Sequence, residues 1–477
     1  MNNNNISDYC PSKTERTYKI AGDLELQIDV TSNPFDIPLD RLFEMAARIN
    51  KKRSFLFVSK VLGKHIPVNP YTSLLSGVSL GLLLQQELQG NMPRHLLLLA
   101  MQGIINPSQS YEAYHEVMSH RLSLPQSILF IGFAETATAI GHAVFQTFRA
   151  NCHYIHTTRE IIEESESILH FSEEHSHAVA HYCYAKDPQL FTNAETVVLI
   201  DDEITTGKTS LNIIRDMQAK FPKKVYYILA LLDWRTESDQ QQFTRLEQEL
   251  DISIHVLSLV KGEVKVSGSS ESLTPGVPSL PDADPTVPVD VIYVDRLFVH
   301  HSTTDKRPYL LHSGRFGLTP QDEEQSAIAI TQTAQQLRQT RVGANTLCVG
   351  TGEFMYIPMR IAAEMGAGVS YQSTTRSPIH TIDREGYAVK SGYPYLSPED
   401  PEVTHFLYNI PVGLYDDLYF FMEREADPSS MLPICQILKT RGVQRIHLVM
   451  FSPQTVEWKE GEVWKIGESG LSRSLSS

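Results

Sequence analysis

The chain is poor in cysteine, has no long apolar run and carries no surplus of positive charge. Its five cysteines (Cys10, Cys152, Cys183, Cys348 and Cys435) are scattered over 477 residues and never form a CxxC pair. That excludes a disulfide framework or a cysteine zinc site, and it fits reduced thiols in a cytoplasm. The longest apolar stretches, Leu80 to Leu84 and Leu96 to Met101, fall far short of the roughly 18 residues that span a bilayer, so no membrane partner is expected. Met1-Asn2-Asn3-Asn4-Asn5 lacks the basic and apolar regions of a signal peptide, which again makes the cytoplasm the expected location. Lys and Arg number 41 against 56 Asp and Glu, a net charge of −15. A general nucleic-acid binder needs the opposite balance, so that class is set aside, although a local basic pocket is not. With 42% hydrophobic and 20% charged residues, disorder is excluded as the main state.

At roughly 100 to 200 residues per domain, the length suggests two to four domains. Twelve of the 22 residues from Ser267 to Pro288 are Ser, Gly or Pro. Such a stretch cannot build a core, so 267–288 is expected to be a flexible linker. It separates 21–266 from 289–477, and the polar residues 1–20 are expected to be disordered. In the first part, short apolar runs at 55–58, 127–131, 154–155, 197–200, 225–230 and 252–256 alternate with helix-like patterns such as Ala137 to Phe148. Buried strands alternating with helices predict an α/β fold with a parallel sheet covered on both faces, whose ligands sit at the carboxyl ends of the strands.

The segment Val197-Val198-Leu199-Ile200-Asp201-Asp202-Glu203-Ile204-Thr205-Thr206-Gly207-Lys208-Thr209 carries the chemistry. A buried strand ends in two acids, and a Thr/Gly loop then opens a helix. Backbone N–H groups at a helix start, aided by the helix dipole, suit a phosphate. Gly207 permits close approach, and the threonine hydroxyls add donors. The carboxylates would repel that phosphate; they suit sugar hydroxyls, Mg²⁺ or a developing positive charge. A P-loop needs GxxxxGK[ST], and Asp202 stands where its first glycine belongs. The segment closely resembles the signature of type I phosphoribosyltransferases. The resemblance implies that Asp201 and Asp202 bind the ribose hydroxyls of phosphoribosyl pyrophosphate (PRPP), with Mg²⁺ held directly or through water. It implies that Thr205, Thr206, Gly207, Lys208 and Thr209 cradle the 5′-phosphate, and that the acceptor is a base or base-like heterocycle.

Three further segments fit that class. Gly132-Phe133-Ala134-Glu135-Thr136 follows a strand and opens a helix, and the resemblance makes it a pyrophosphate-binding loop. Glu135 is unexpected beside pyrophosphate and is read either as a Mg²⁺ ligand or as the partner of a neighbouring cation. Arg159, in His156-Thr157-Thr158-Arg159, has a guanidinium well shaped for pyrophosphate. The acidic, His-rich stretch 161–181 is either a solvated loop or, as in the orotate branch of the family, a loop that closes over the substrates. In the second case His175 and His177 donate to the leaving group. A metal site from His175, His177 and His181 has the wrong spacing for HExxH. Lys60, Lys64 and His65 flank a strand and are read either as a hood over the base with pyrophosphate contacts or as a surface cluster.

Past the linker the loops recur. Gly350-Thr351-Gly352-Glu353 matches Gly132 to Glu135, and Thr374-Thr375-Arg376 matches Thr157-Thr158-Arg159, at spacings of 21 and 22 residues. The second half therefore reads as a diverged copy of the first, with its third element expected near Phe406 to Pro411. Lacking an acid pair with Thr-Thr-Gly there, it should not bind PRPP in the usual way; Gly350 to Glu353 and Arg376 are its candidate loop for another anionic ligand. Thr375-Arg376-Ser377-Pro378, with Phe57 to His65, Gly132 to Thr138, His175 to Ala178 and Asp201 to Gly207, also carries a resemblance across both halves. The chain resembles the orotate-phosphoribosyltransferase-like proteins with a C-terminal TRSP domain, encoded with tellurite-resistance and stress-response genes. This implies a phosphoribosyltransferase making a nucleotide-like metabolite, with partner enzymes from the same cluster; a PRPP-sensing regulator is the alternative. A homodimer is the expected assembly by base rate.

Overall fold

The computed structural model describes residues 14–49, 54–90, 94–162, 165–172, 180–270, 282–301, 307–458, 463–467 and 470–473. The first half opens with β1 (Thr14–Ala21), β2 (Leu24–Ser32), the short α1 (Leu39–Leu42), β3 (Phe43–Ala47) and β4 (Phe55–Ser59). Three helices follow, α2 (Pro70–Gln89), α3 (Arg94–Ile105) and α4 (Ser110–Met118). Next come β5 (Leu122–Gly132), α5 (Ala137–Gln146), β6 (Phe148–His156), β7 (Leu169–Ser172), β8 (Ala180–Cys183) and α6 (Gln189–Asn193). The half ends with β9 (Thr196–Ile200), β10 (Glu203–Ile204), α7 (Lys208–Lys220), β11 (Val225–Asp233), α8 (Glu237–Leu250) and β12 (Ser253–Ser267).

The second half runs through β13 (Val289–Tyr293), α9 (Pro320–Arg338), β14 (Thr346–Gly350), α10 (Tyr356–Glu364) and β15 (Val369–Ser373). It continues with β16 (Gly392–Leu396), β17 (Thr404–Tyr408), β18 (Asp417–Met422), α11 (Pro428–Lys439), β19 (Arg445–Met450), β20 (Val463–Gly467) and β21 (Gly470–Arg473).

The first sheet has the order β1-β2-β12-β11-β9-β5-β6, and the five strands from β12 to β6 are parallel. At its centre β9 is buried throughout. Val198 and Ile200 enter the core on one face, Val197 and Leu199 the core on the other. Each such side chain is worth about 1.5–3 kcal/mol when fully buried, so the strand, and with it the position of Asp201, is firmly anchored. The second sheet has the order β15-β14-β18-β19-β13-β20-β21. Five of its parallel strands, β15-β14-β18-β19-β13, repeat β6-β5-β9-β11-β12, and β20 adds a sixth parallel strand beside β13. The copy is circularly permuted: β12 closes its half, whereas β13, in the same place, opens its own. The expected parallel sheet of the first half and a second α/β sheet are thus both present.

Three expectations are corrected. Residues 14–20 are not frayed, because β1 pairs antiparallel with β2 and Ile20 and Ala21 are buried; residues 1–13 lie outside the described ones. The expected linker is ordered at both ends: Ser267 belongs to β12, Ser270 Oγ donates to the Arg48 carbonyl (3.4 Å) and Val287 is buried. Residues 271–281 lie outside the described ones. The third element of the copy is β18 with its following loop, not 406–411, which forms the end of the β16–β17 hairpin. No helix among the described residues is long and apolar enough to cross a membrane; α2, with 20 residues, is instead a buried helix of the first half.

Candidate active site

The acid pair stands where β9 ends. The Asp201 N–H donates to the Leu229 carbonyl (3.0 Å), so the chain is still tied to β11 there. The Asp202 N–H donates to Asp201 Oδ1 (3.0 Å), and the Asp202 carbonyl accepts from Leu231 N–H (3.1 Å). Two further residues pair with β11, Glu203 with Leu232 and Ile204 with Asp233. Thr205, Thr206 and Gly207 then lead into α7, all half-buried, as are Lys208 and Thr209. Gly207 gives α7 no side-chain cap, Thr206 Oγ1 accepts from Lys208 N–H only at 3.5 Å, and the first turn holds no acid, so the positive end of the helix faces this loop. Gly207 has φ of 74°, and a Cβ added there would lie 2.4 Å from Phe243 Cζ. Phe243 is held by the Arg235 guanidinium, 4.4 Å from its ring centroid. Arg235 is itself fixed by two bonds of 2.8 Å to Asp233. This brace was not anticipated; its signal in the sequence was Asp233-Trp234-Arg235 directly after the apolar run of β11.

A hood lies over the acids. The β3–β4 hairpin brings Phe43, Phe57 and Ser59 into one cleft with Asp202 and Glu203. Phe57 stacks on Trp234 at 5.3 Å between centroids. Lys60 follows Ser59 and is exposed.

The loop from Gly132 to Thr136 continues β5 beside β9: Phe133 N–H donates to the Ile200 carbonyl (3.0 Å) and Ala134 N–H to Thr157 Oγ1 (2.8 Å). Glu135 turns away from its own half. Its Oε2 accepts from Thr375 Oγ1 (3.0 Å) and Arg376 N–H (3.4 Å), and lies 3.4 Å from Lys64 Nζ. Lys64 also donates to the Gly352 carbonyl (2.7 Å). Lys64 is 1% exposed and Glu135 7%. The matching loop of the second half makes the converse contacts. Gly352 N–H donates to Thr374 Oγ1 (3.0 Å), and Glu353 accepts from Thr158 Oγ1 (2.6 Å) and Arg159 N–H (2.8 Å). Thr157 meets His181 (3.0 Å) as Thr374 meets His405 (3.2 Å).

The equivalence extends to a segment the sequence reading had not paired. Val68 bridges to Tyr371 of β15, and Leu318 bridges to Tyr154 of β6. Each is followed by a capping residue and a proline that start a helix, Asn69-Pro70 and Thr319-Pro320. Within these segments Lys64 corresponds to Arg315, which lies 3.7 Å from Glu353.

Residues 42–263 match the family model described as phosphoribosyl transferase, and residues 312–438 match the model described as the TRSP domain C-terminal to it. The chain therefore carries a phosphoribosyl transferase domain followed by a TRSP domain. Among solved structures it is similar to an adenine phosphoribosyl transferase from Trypanosoma brucei, with 18% identity, 33% of this chain and 68% of that chain covered, and a TM-score of 0.24. For the Giardia lamblia enzyme the identity is 16%, the coverage 34% and 84%, and the TM-score 0.23. For that of Leishmania donovani they are 17%, 33% and 68%, and 0.23. The adenine in their names is a property of those enzymes.

Of the expected site residues, Asp201, Asp202 and Thr205 to Thr209 share one loop, and Phe133 abuts it through Ile200. Lys64 and Glu135 sit in the contact between the halves, and the Arg159 backbone is held there too. Glu135 therefore meets a neighbouring cation, the second of its two expected roles. His175 and His177 lie outside the described residues, between β7 and β8. No group of three or more His, Cys, Asp or Glu poised to hold a metal occurs among the described residues.

The TRSP counterpart of the acid loop, Glu423-Arg424-Glu425-Ala426-Asp427, is self-satisfied. Arg315 Nη1 donates to both Glu423 oxygens (2.9 and 2.7 Å). The Asp427 carboxylate caps α11 by accepting from Ser429 N–H (2.9 Å), so negative charge stands where a phosphate would sit. Gly350 to Glu353 and Arg376, the candidate anion loop of this half, face the first half through Lys64, Glu135, Thr158 and Arg159 instead.

Burial pushes the Glu135 carboxyl up, but Lys64, Arg159, His405 and Arg376 together hold it at about 2. Glu160 is likewise held at about 2, burial being outweighed by Arg315, Arg424 and a hydrogen bond from Tyr309. Burial lowers His65 and His156 to about 3 and His405 to about 4. All five lie below their ordinary values of 4.5 and 6.5. Their stabilisation is therefore complete above about pH 6.5 and is lost as the pH falls, first through the histidines and then, below about 4.5, through the carboxylates. Urea midpoints measured from pH 8 to pH 3 should decline below about 6.5 and steepen below about 4.5; a midpoint unchanged down to pH 4 would contradict this. Lys64→Ala strands the buried Glu135 charge and should cost about 3–5 kcal/mol by chemical denaturation. Gly207→Ala meets both an unfavourable φ and Phe243. It should cost about 1–3 kcal/mol and weaken phosphate binding, read by calorimetry with ribose 5-phosphate.

Proposed function

We propose that the protein transfers the phosphoribosyl group of PRPP to a base or base-like heterocycle with release of pyrophosphate. The observation that supports this most directly is the loop from Asp201 to Thr209, in which two carboxylates on an anchored strand stand beside an uncapped helix start. A nitrogen of the acceptor attacks C1′, the C1′–O bond to pyrophosphate breaks, and its electron pair leaves with pyrophosphate. Asp201 and Asp202 hold the ribose hydroxyls and favour the positive charge that develops at C1′. Thr205 to Thr209 hold the 5′-phosphate. The Gly132–Thr136 loop and Arg159 face the pyrophosphate, with Lys60 at the rim of the hood. The acceptor is proposed to lie beside Asp202, next to the β3–β4 hairpin. His175 and His177, on the segment between β7 and β8, are the residues proposed to donate to the leaving group.

Mg²⁺ fits the oxygen donors of Asp201 and Asp202, since this ion is commonly held by one or two carboxylates together with substrate phosphates and water. When bound it would offset charge on the pyrophosphate. A place in the cytoplasm, a homodimer and a role with partner enzymes in making a nucleotide-like metabolite under stress belong to the same proposal and rest on the family resemblance and base rates.

The test is pyrophosphate release from Mg²⁺–PRPP in the presence of a deproteinised bacterial metabolite extract. The Asp201→Asn/Asp202→Asn double variant should lose activity by about 10³-fold or more, as expected when groups aimed at developing charge are removed. Undiminished release by that variant would refute the assignment. PRPP binding by calorimetry without turnover in any extract fraction would mark a PRPP-sensing regulator.

A further inference from the structure

Glu353 belongs to the TRSP domain, yet its side-chain hydrogen bonds and one bond of its backbone reach the first half. Its Oε2 accepts from Thr158 Oγ1 (2.6 Å) and its Oε1 from Arg159 N–H (2.8 Å). Its carbonyl accepts from Thr138 Oγ1 (3.0 Å), in the first turn of α5. One residue thus ties together the two first-half segments proposed above to contact pyrophosphate, the start of α5 and the Thr158–Arg159 step. Thr158 Oγ1 in turn accepts from Glu160 N–H (3.1 Å), so the restraint runs through three consecutive residues. Glu353 is 6% exposed and has Arg315, 2% exposed, 3.7 Å away. Arg315 is locked by Glu423 at the end of β18.

We propose that Glu353 is a positioning residue for the pyrophosphate contacts of the first half, so that the TRSP domain completes the active site by holding Arg159. This rests on the function proposed above. It differs from a role as mere glue between the halves, because that role has other holders. Lys64 bonds Gly352, His142 bonds Glu323 (2.6 Å), and the Val68–Tyr371 and Leu318–Tyr154 bridges close the strand edges. Thr158 is also held within its own half by two backbone bonds to Tyr182 (2.9 Å each), and what Glu353 adds to that is an acceptor for the Thr158 hydroxyl and for the Arg159 N–H. Its own half has no matching need, since the loop after β18 is capped by Asp427 and closed by Arg315.

Ribose 5-phosphate separates the two roles. It carries the phosphate and hydroxyls that face Asp201 to Thr209 but lacks the pyrophosphate. The experiment is calorimetry on the full-length protein with Mg²⁺–PRPP and with ribose 5-phosphate, for wild type, Glu353→Ala, Glu353→Gln, Arg159→Ala and Glu353→Ala/Arg159→Ala. Glu353→Ala should weaken PRPP by about ten-fold or more, the scale of one lost charge-assisted contact, and leave ribose 5-phosphate within about two-fold. Glu353→Gln, which keeps an oxygen for Arg159 N–H, should lose less and serves if the alanine variant does not fold. The double variant should be no weaker than the worse single one, because both remove the same contact. Equal weakening of both ligands, no weakening of either, or losses that multiply in the double variant would each overturn the proposal. If wild type binds neither ligand, the proposed function itself falls and this inference falls with it; if wild type binds both and the Glu353 variants bind both as tightly as wild type, only the inference fails.

Discussion

The molecule depends on an exchange of two buried carboxylates between its halves. Glu135 leaves the loop after β5 to hold Thr375 and Arg376, and Glu353 leaves the loop after β14 to hold Thr158 and Arg159. In its own loop each would repel an anionic ligand. Turned across the contact, each becomes an acceptor for the other half. Taking such a charge out of water costs several kcal/mol, and that cost is offset only where hydrogen bonds and a nearby cation satisfy it. Lys64 does this for Glu135 and Arg315 for Glu353, which is why a lysine and an arginine stand at equivalent places in two segments otherwise little alike.

The exchange also settles the edges of the sheets. β6 and β15 end their sheets and would otherwise offer unpaired backbone groups. Each is partly covered from the other half, β6 at Tyr154 by Leu318 and β15 at Tyr371 by Val68. Those covering segments carry Arg315 and Lys64. Backbone pairing and charge pairing therefore come as one unit.

A shared frame did not keep a shared chemistry. After β9 the chain presents an acid pair and an uncapped helix; after β18 it presents acids bonded to Arg315 and an aspartate that caps its own helix. The same strand order thus supports a helix start without a capping acid in one half and an acid-closed loop in the other, because loop residues and not the frame set the local chemistry.

Local pattern carried much of this reading. Four apolar residues, two acids and Thr-Thr-Gly-Lys-Thr determine a buried strand, its end and a helix start over so short a distance that tertiary structure adds little. The recurrence of Gly-x-x-Glu and Thr-Thr-Arg at nearly equal spacing likewise pointed to the duplication. Beyond that range the sequence was silent or misleading. An apolar run reports that side chains are buried, not against what, so 406–411 could be read as the third core strand when it closes a hairpin. Lys64 reads as a pyrophosphate or hood cation, or as part of a surface cluster, because nothing near it in sequence is its partner; Gly352 lies 288 residues away. The permutation that moves β13 to the front of its half, the Arg235–Phe243 brace behind Gly207 and the crossing of Glu135 and Glu353 were all decided by the tertiary structure. Each pairs groups far apart in the chain, and only the folded arrangement brings them within reach.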